Sequence, residues 1–123
     1  MNRRDEVLRE KILGYCREIE EAHRLFHEDK ALFCDRENGA VYRNAVSMPL
    51  LQIGELAKNL SVEFRAEHSE IPWRDAMRMR DLFAHHYGSV DFEQTWDTSH
   101  SSVSELKRCL LTFKMENANT HVS

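Results

Sequence analysis

The sequence predicts an all-α protein, an up-and-down bundle of four to five helices. Apolar residues recur at spacings of three and four along most of the 123 residues, which is the period of amphipathic helices. Apolar and polar residues nowhere alternate over about six positions between turn signals, as a half-buried strand would require. Charged residues make up 31% of the chain, with four glycines and two prolines, a composition typical of helical globular domains.

The first helix is expected over residues 5 to 27. Its predicted apolar face consists of Val7, Leu8, Ile12, Tyr15, Cys16, Ile19, Ala22, Leu25 and Phe26. The residues expected on the solvated opposite face are Arg9, Arg17, Glu20 and Glu21. The following segment has few periodic apolar residues and includes the turn pair Asn38-Gly39, so we expect a short helical turn there.

A second long helix is predicted from about residue 41 to residue 60, and it contains Pro49. Proline lacks the amide N–H and clashes with the preceding turn, which costs about 3 kcal/mol in a helix interior. We therefore expect a kink between Ala45 and Pro49, or a new helix start capped by Ser47. Residues 50–57 are apolar on more than one face, which indicates a helix that is central in the bundle or pressed against another subunit.

The next two helices are predicted from the residues at their ends. Ser61 can cap a short helix that follows it, and Pro72 suits the first turn of the helix after that. We expect this helix to run from Pro72 to about His86. It should end near Gly88, whose freedom at positive φ suits a helix end.

The last helix is predicted to open at Asp91, which forms a capping-box pattern with Gln94. We expect it to run over residues 92–115. Its buried face should contain Trp96, Val103, Leu106, Leu110 and Phe113. The chain length then fits one domain, residues 1–116, followed by a disordered tail at 117–123.

Composition argues against secretion and membrane insertion. No segment approaches about 18 consecutive apolar residues, and the opening MNRRDEVLREKI is too charged for a signal peptide. A cytoplasmic protein is therefore expected. Cys16, Cys34 and Cys109 are far apart and odd in number, which predicts reduced packing residues rather than disulfides or a zinc site.

The formal net charge of −4 gives no general attraction to nucleic-acid backbones. Such a contact would need a local basic cluster, for which Arg74, Arg78 and Arg80 are the candidates. These arginines could equally form a salt-bridged helix face with Asp75 and Asp81.

The stretch around Arg80 and His85 concentrates side chains that can do chemistry. The two residues are five apart, so their side chains diverge by about 140° on a regular helix. Spacing alone therefore favours a solvated helix end, where cations suit the macrodipole. Asp81 and His85 share a face, and the carboxylate could fix the histidine tautomer, as acid–base catalysis requires.

Several motifs follow one another in a consistent order between about residues 45 and 110. They are Ile53-Gly54-Glu55, Ile71-Pro72-Trp73, an arginine–histidine–tyrosine signature at Arg80, His85 and Tyr87, then Val90-Asp91 and Trp96. This order resembles the HepT branch of the HEPN (higher eukaryotes and prokaryotes nucleotide-binding) family, the toxin half of bacterial toxin–antitoxin pairs. The resemblance implies a helical homodimer in which the two signatures meet and cleave RNA without a metal or other cofactor.

The resemblance also implies a role for each signature residue. Arg80 would stabilise charge on the phosphate, and His85 would act as general base or acid, which gives a 2′,3′-cyclic phosphate product. Asp81 is expected to orient His85. Tyr87 would accept nucleotidyl groups from a nucleotidyltransferase antitoxin, which blocks the toxin. The alternative function is a non-catalytic HEPN-like module that binds nucleotide, RNA or its partner.

Two other polar groups permit more than one interpretation. Glu55 could line the same cleft, but a helical carboxylate is more often solvent-facing or paired with a lysine such as Lys58, so it is left out of the catalytic set. Glu20, His23 and His27 share a helical face that could bind zinc. Without a further nearby ligand a surface cluster is favoured, and no metal site is expected.

Overall fold

In the computed structural model the backbone is described for residues 2–85 and 91–122, and the side chains within these ranges except those of 79, 82–85 and 113–122. The helices are α1 Arg3–Leu25, α2 Lys30–Phe33, α3 Ala40–Asn59, α4 Val62–Glu67, α5 Trp73–His85, α6 Phe92–Asp97 and α7 Val103–Val122, with a π-helical turn at Thr98–Ser102. The described ranges contain no strand, so the predicted all-α fold is confirmed.

Helix α3 is the central element of the bundle. It packs against both α1 and α5, more extensively than any other pair of helices does in the described part of the chain. Helix α7 covers another side of α1. The single apolar core draws on these helices and includes Ile12, Leu13, Ile19, Val46, Ile53 and Leu110. The central position predicted for residues 50–57 is therefore confirmed.

Helix α3 is continuous across Pro49, so the predicted new start at Ser47 is wrong. The proline removes one helical hydrogen bond, at a cost of about 3 kcal/mol. Burial of Val46, Leu50 and Ile53 on either side contributes about 1.5–3 kcal/mol each. Tertiary packing thus outweighs the local penalty.

The buried stripe of α1 differs from the predicted one. Arg9, expected in solvent, is buried, whereas Leu25 is 66% exposed. Arg9 lies four residues from both Asp5 and Leu13, which are also buried, so all three occupy one helical stripe. Asn2 caps this helix by accepting a hydrogen bond from the Asp5 backbone N–H at 2.7 Å.

The caps predicted at Ser61 and Asp91 are confirmed, whereas the helix end predicted near Gly88 lies outside the described residues. The Ser61 hydroxyl accepts a hydrogen bond from the Phe64 N–H at 3.0 Å at the start of α4. The Asp91 carboxylate accepts from the N–H groups of Glu93 and Gln94 at the start of α6. Cap patterns are local, which is why the sequence predicts them well.

The last predicted helix is interrupted by the π-helical turn and extends to Val122. Side chains of the turn donate hydrogen bonds to carbonyl groups of the preceding helix. Ser99 Oγ donates to the Trp96 carbonyl at 2.7 Å, and Ser101 Oγ to the Asp97 carbonyl at 2.8 Å. The domain boundary at residue 116 stays a prediction.

Two predictions from composition bear on the whole molecule. The three cysteines are free thiols, and Cys16 and Cys109 are buried, as expected of packing residues. Within the residues that the structure describes, the helices are too short or too polar to cross a membrane.

Candidate active site on helices α3 and α5

Helices α3 and α5 come into close contact at Gly54. A Cβ atom at this position would lie 2.6 Å from the carbonyl oxygen of Ala76 and closer still to the Cβ of Arg80. Neither atom belongs to the movable end of a side chain, so glycine is the residue that fits. Gly54 therefore allows α3 to lie directly against the part of α5 that carries Arg80.

The next residue, Glu55, forms an ion pair with Arg80. Arg80 Nε donates to Glu55 Oε2 at 2.7 Å, and Arg80 Nη1 donates to Asp81 Oδ1 at 3.1 Å. Lys58 Nζ, one helical turn beyond Glu55, donates to the same Asp81 oxygen at 2.7 Å. Two cations and two carboxylates thus alternate across the α3–α5 contact. We call these four residues the Arg80 cluster.

The Arg80 cluster is accessible, and its hydrogen bonds favour the charged forms of Arg80 and Asp81. About a quarter of the Arg80 side chain is exposed, at 27%. Hydrogen bonds from Lys58 and then from Arg80 lower the pKa of Asp81 below its ordinary value. Hydrogen bonds to Asp81 and Glu55 raise the pKa of Arg80 above its ordinary value. Arg80 and Asp81 therefore each stabilise the charged form of the other.

The pairing of Glu55 with Lys58 is wrong, because the partner of Glu55 is Arg80 and that of Lys58 is Asp81, although the Glu55 side chain is 44% exposed. A signal was present beside it. Glycine inside a helix is unfavourable by about 1 kcal/mol relative to alanine, so Gly54 indicates a close helix contact. Gly54 could therefore have predicted that Glu55 faces a neighbouring helix, although not which residue it binds there.

The structure places two of the four predicted site residues together. Arg80 and Asp81 both belong to the Arg80 cluster. His85 is the last residue of α5, and its side chain lies outside the described ones. Tyr87 lies outside the described residues altogether. Whether Asp81 orients His85 therefore stays a prediction.

The three arginines of α5 were predicted to form either a phosphate-binding cluster or a salt-bridged helix face, and they differ in their contacts. Arg80 is salt-bridged, to Glu55 as well as Asp81. Arg74 and Arg78 are exposed, and neither forms an ion pair with another residue that the structure describes. A phosphate-binding role for them stays a prediction.

A second polar network surrounds His23 of α1, close to the start of α3. The His23 Nδ1 lies 2.6 Å from the Tyr42 hydroxyl and its Nε2 lies 2.8 Å from Ser99 Oγ. Because Ser99 donates its proton to the Trp96 carbonyl, it accepts from His23 Nε2–H, and Tyr42 therefore donates to Nδ1. Burial is the main cause that lowers the pKa of His23 to about 4, so its ring is neutral.

The surface cluster expected for His23 is wrong, since this side chain is only 2% exposed. Its true neighbours are Glu28 and His100, whose donor atoms lie within 4.8 Å of one another and of His23. The two imidazole rings are tilted by 35°, with centroids 4.0 Å apart. Both ring nitrogens of His23 are bonded, to Tyr42 and Ser99, so binding an ion would require one of these hydrogen bonds to break.

His100 completes this second network. Its Nδ1 donates to the Trp96 carbonyl at 2.9 Å, and its Nε2 lies 2.7 Å from Glu28 Oε2. The Trp96 carbonyl and the Glu28 carboxylate are both hydrogen-bond acceptors. We call His23, Tyr42, Ser99, His100 and Glu28 the His23 network. Its side-chain bonds join α1, α3 and the π-helical turn, which indicates a structural role.

Comparison with known proteins identifies the family. The model of the family described as "Ribonuclease HepT-like" matches residues 12–113. The "Probable ribonuclease HepT" of Thermococcus cleftensis is 35% identical over 99 residues, which cover 76% of this chain and 86% of that protein. A "Putative RNase" of Caldanaerobacter subterraneus is 34% identical over 83 residues, 60% of this chain and 74% of that protein. No solved structure matches. The chain belongs to the HepT-like ribonuclease family.

Proposed function

We propose that this chain is a cytoplasmic, metal-independent endoribonuclease that acts as the toxin of a bacterial toxin–antitoxin pair. The observation that carries the proposal is the accessible guanidinium of Arg80, held by two carboxylates in a chain of a ribonuclease family. An arginine fork matches the oxygens of a phosphodiester and keeps its charge at every relevant pH.

The reaction is an internal transesterification of RNA. A general base removes the proton of the ribose 2′-hydroxyl, whose oxygen attacks the adjacent phosphorus. The bond to the 5′-oxygen breaks, a general acid protonates that oxygen, and a 2′,3′-cyclic phosphate remains. His85 acts as base or acid, since a histidine pKa near 6.5 allows both roles. Arg80 stabilises the extra negative charge on the phosphoryl oxygens.

The active form is a homodimer in which each subunit contributes one His85, so that the two imidazoles divide the acid and base roles. Support comes from the outer face of α3, where Val41 is 72% and Met48 is 58% exposed. These residues lie seven apart and therefore share a face, and Glu55 follows seven residues after Met48. Pairing through the Met48–Glu55 end of this stripe would bring two Arg80 clusters near each other.

The toxin is neutralised by a nucleotidyltransferase antitoxin that transfers a nucleotidyl group to Tyr87. Incubating the chain with such an enzyme and a nucleoside triphosphate should add one nucleotidyl mass at Tyr87. Modification that persists undiminished in Tyr87→Phe would contradict this site.

The test of the proposed function is RNA cleavage by purified protein. Arg80→Ala and His85→Ala should each lower the cleavage rate by about 100-fold or more, with unchanged oligomeric state and helical content. Arg17→Ala, which removes an exposed arginine of α1, is the matched control. Cleavage should persist in chelator and yield cyclic phosphate ends. Full activity in either signature variant would refute the assignment.

A non-catalytic binding module is the second candidate, and it is favoured by donors of Arg80 that bind no residue in the described ranges and could bind a phosphate ligand. It predicts that wild-type protein binds RNA tightly and leaves it intact. The same assay therefore separates the two functions.

A further inference from the structure

The anchoring of Arg80 leaves several of its N–H donors without a partner among the residues that the structure describes. An arginine has five N–H donors. One is bound by Glu55 through Nε, and one by Asp81 through Nη1. Nη2 forms no hydrogen bond with a residue that the structure describes. The terminal edge of the group can therefore still meet a phosphate, while the Nε side is fixed.

We propose that Glu55 is the positioning residue of the ribonuclease site. It holds Arg80 by Nε so that the remaining N–H donors are aimed at the scissile phosphate before RNA arrives. This inference rests on the proposed ribonuclease function. Glu55 acts through Arg80 and does not itself contact substrate.

The local structure supports a positioning role over a merely stabilising one. The Glu55 side chain is 44% exposed, and an exposed ion pair contributes little to stability. The sequence nevertheless places the unfavourable Gly54 in the interior of α3, where a Cβ would collide with α5. The resulting close contact sets the position from which Glu55 reaches Arg80 Nε.

Lys58 completes the arrangement. Two carboxylates beside one arginine would give the Arg80 cluster a net charge of −1, which repels a phosphodiester. Lys58, bound to Asp81 at 2.7 Å, returns the cluster to neutrality. Glu55 can therefore orient the guanidinium without making the site repel its ligand.

The first test measures steady-state cleavage of an RNA oligonucleotide with one scissile bond. Glu55→Ala should lower kcat by about 10- to 100-fold with a small change in KM, because a misplaced group loses transition-state contacts. Glu55→Gln, whose amide oxygen still accepts from Nε, should recover most of kcat. Glu63→Ala, an exposed glutamate on α4, serves as the control. Wild-type kcat in folded Glu55→Ala would overturn the inference.

A second test uses chemical rescue. Millimolar guanidinium should partly restore cleavage in Arg80→Ala, and the double variant Arg80→Ala/Glu55→Ala should lose that rescue, because the anchor for the added ion is gone. Equal rescue in both proteins would contradict a positioning role. A change in stability alone would not produce this difference.

A third measurement keeps this inference separate from the proposed function. The Nε–Hε resonance of Arg80, observed by NMR in the intact protein, should shift in Glu55→Ala and stay in place in Glu63→Ala. Binding of an uncleavable oligonucleotide with a 2′-deoxy scissile nucleotide should then shift the Nη signals more than Nε. Absence of cleavage in wild type would refute the ribonuclease, whereas an unmoved Nε resonance in Glu55→Ala would refute the anchor.

Discussion

Helix α3 contributes to two polar networks that differ in how completely their hydrogen bonds are satisfied. Tyr42, near its start, belongs to the His23 network, and Glu55, near its end, belongs to the Arg80 cluster. Thirteen residues separate them, a distance of about 20 Å along a helix. The His23 ring is buried and both of its nitrogens are bonded, whereas Arg80 is partly exposed and keeps donors that bind none of the residues that the structure describes.

This difference explains why one network fits a structural role and the other a functional one. A buried polar group is stable only when its partners are complete, and a complete network has nothing left for a ligand. The Arg80 cluster has enough internal bonds to fix its geometry and enough exposure to admit a phosphate. The two regions should therefore respond to substitution in opposite ways, one through stability and the other through activity.

The largest expected effect is on activity, in Arg80→Lys. Lysine keeps the charge but lacks the planar fork, so it cannot bind Glu55 and a phosphate in the same arrangement. We expect kcat/KM for RNA cleavage to fall by about 100-fold or more, while the thermal midpoint changes little. Arg17→Lys on α1 is the control. A variant with near wild-type cleavage would place the phosphate contact elsewhere.

The next effect is on stability, in His23→Ala. This change leaves Tyr42 and Ser99 without their buried partner and opens a cavity among aromatic rings. We expect the free energy of unfolding to fall by about 2–4 kcal/mol, measured by urea denaturation. Cleavage per folded molecule should remain at the wild-type value. Lost activity in a stable variant would show that the two networks are coupled.

The same comparison shows what a sequence can and cannot predict. The caps Ser61 and Asp91 and the helical periods were predicted because each depends on residues within one turn. The burial of His23 was missed because its partners, Tyr42 and Ser99, are 19 and 76 positions away. A histidine on an apparently polar face carries no local sign of them.

Only part of the candidate site was predicted, again because partners distant in the sequence leave no local pattern. Arg80 and Asp81 were identified by resemblance to a family signature, whereas Glu55 was left out because its partner lies 25 residues away. Gly54, the residue before Glu55, was the local sign of a close contact with another helix. Helix propensity disfavours glycine there, and the contact with α5 explains its presence.

A pH dependence of stability should single out the His23 network. An unfolded histidine titrates near 6.5, and burial together with the charge of His100 lowers the pKa of folded His23 to about 4. Between these values the unfolded chain binds more protons, so stability falls as the pH drops through this window, by up to roughly 3 kcal/mol. His23→Gln, neutral at every pH, should show a flatter dependence in urea unfolding. Equal slopes would contradict the assignment.

The smallest expected effect comes from Lys58→Met, which removes one charge from the Arg80 cluster and keeps the length of the side chain. The remaining two carboxylates and one arginine carry a net charge of −1, so RNA should bind more weakly. We expect KM to rise by a few-fold at low salt and the difference to shrink as salt screens the charges, while kcat changes little. Lys107→Met removes a comparable exposed pair, with Glu20, and serves as the control. If both variants raised KM equally, the cause would be general charge rather than the cluster that holds Arg80, and the role given to Lys58 would fail.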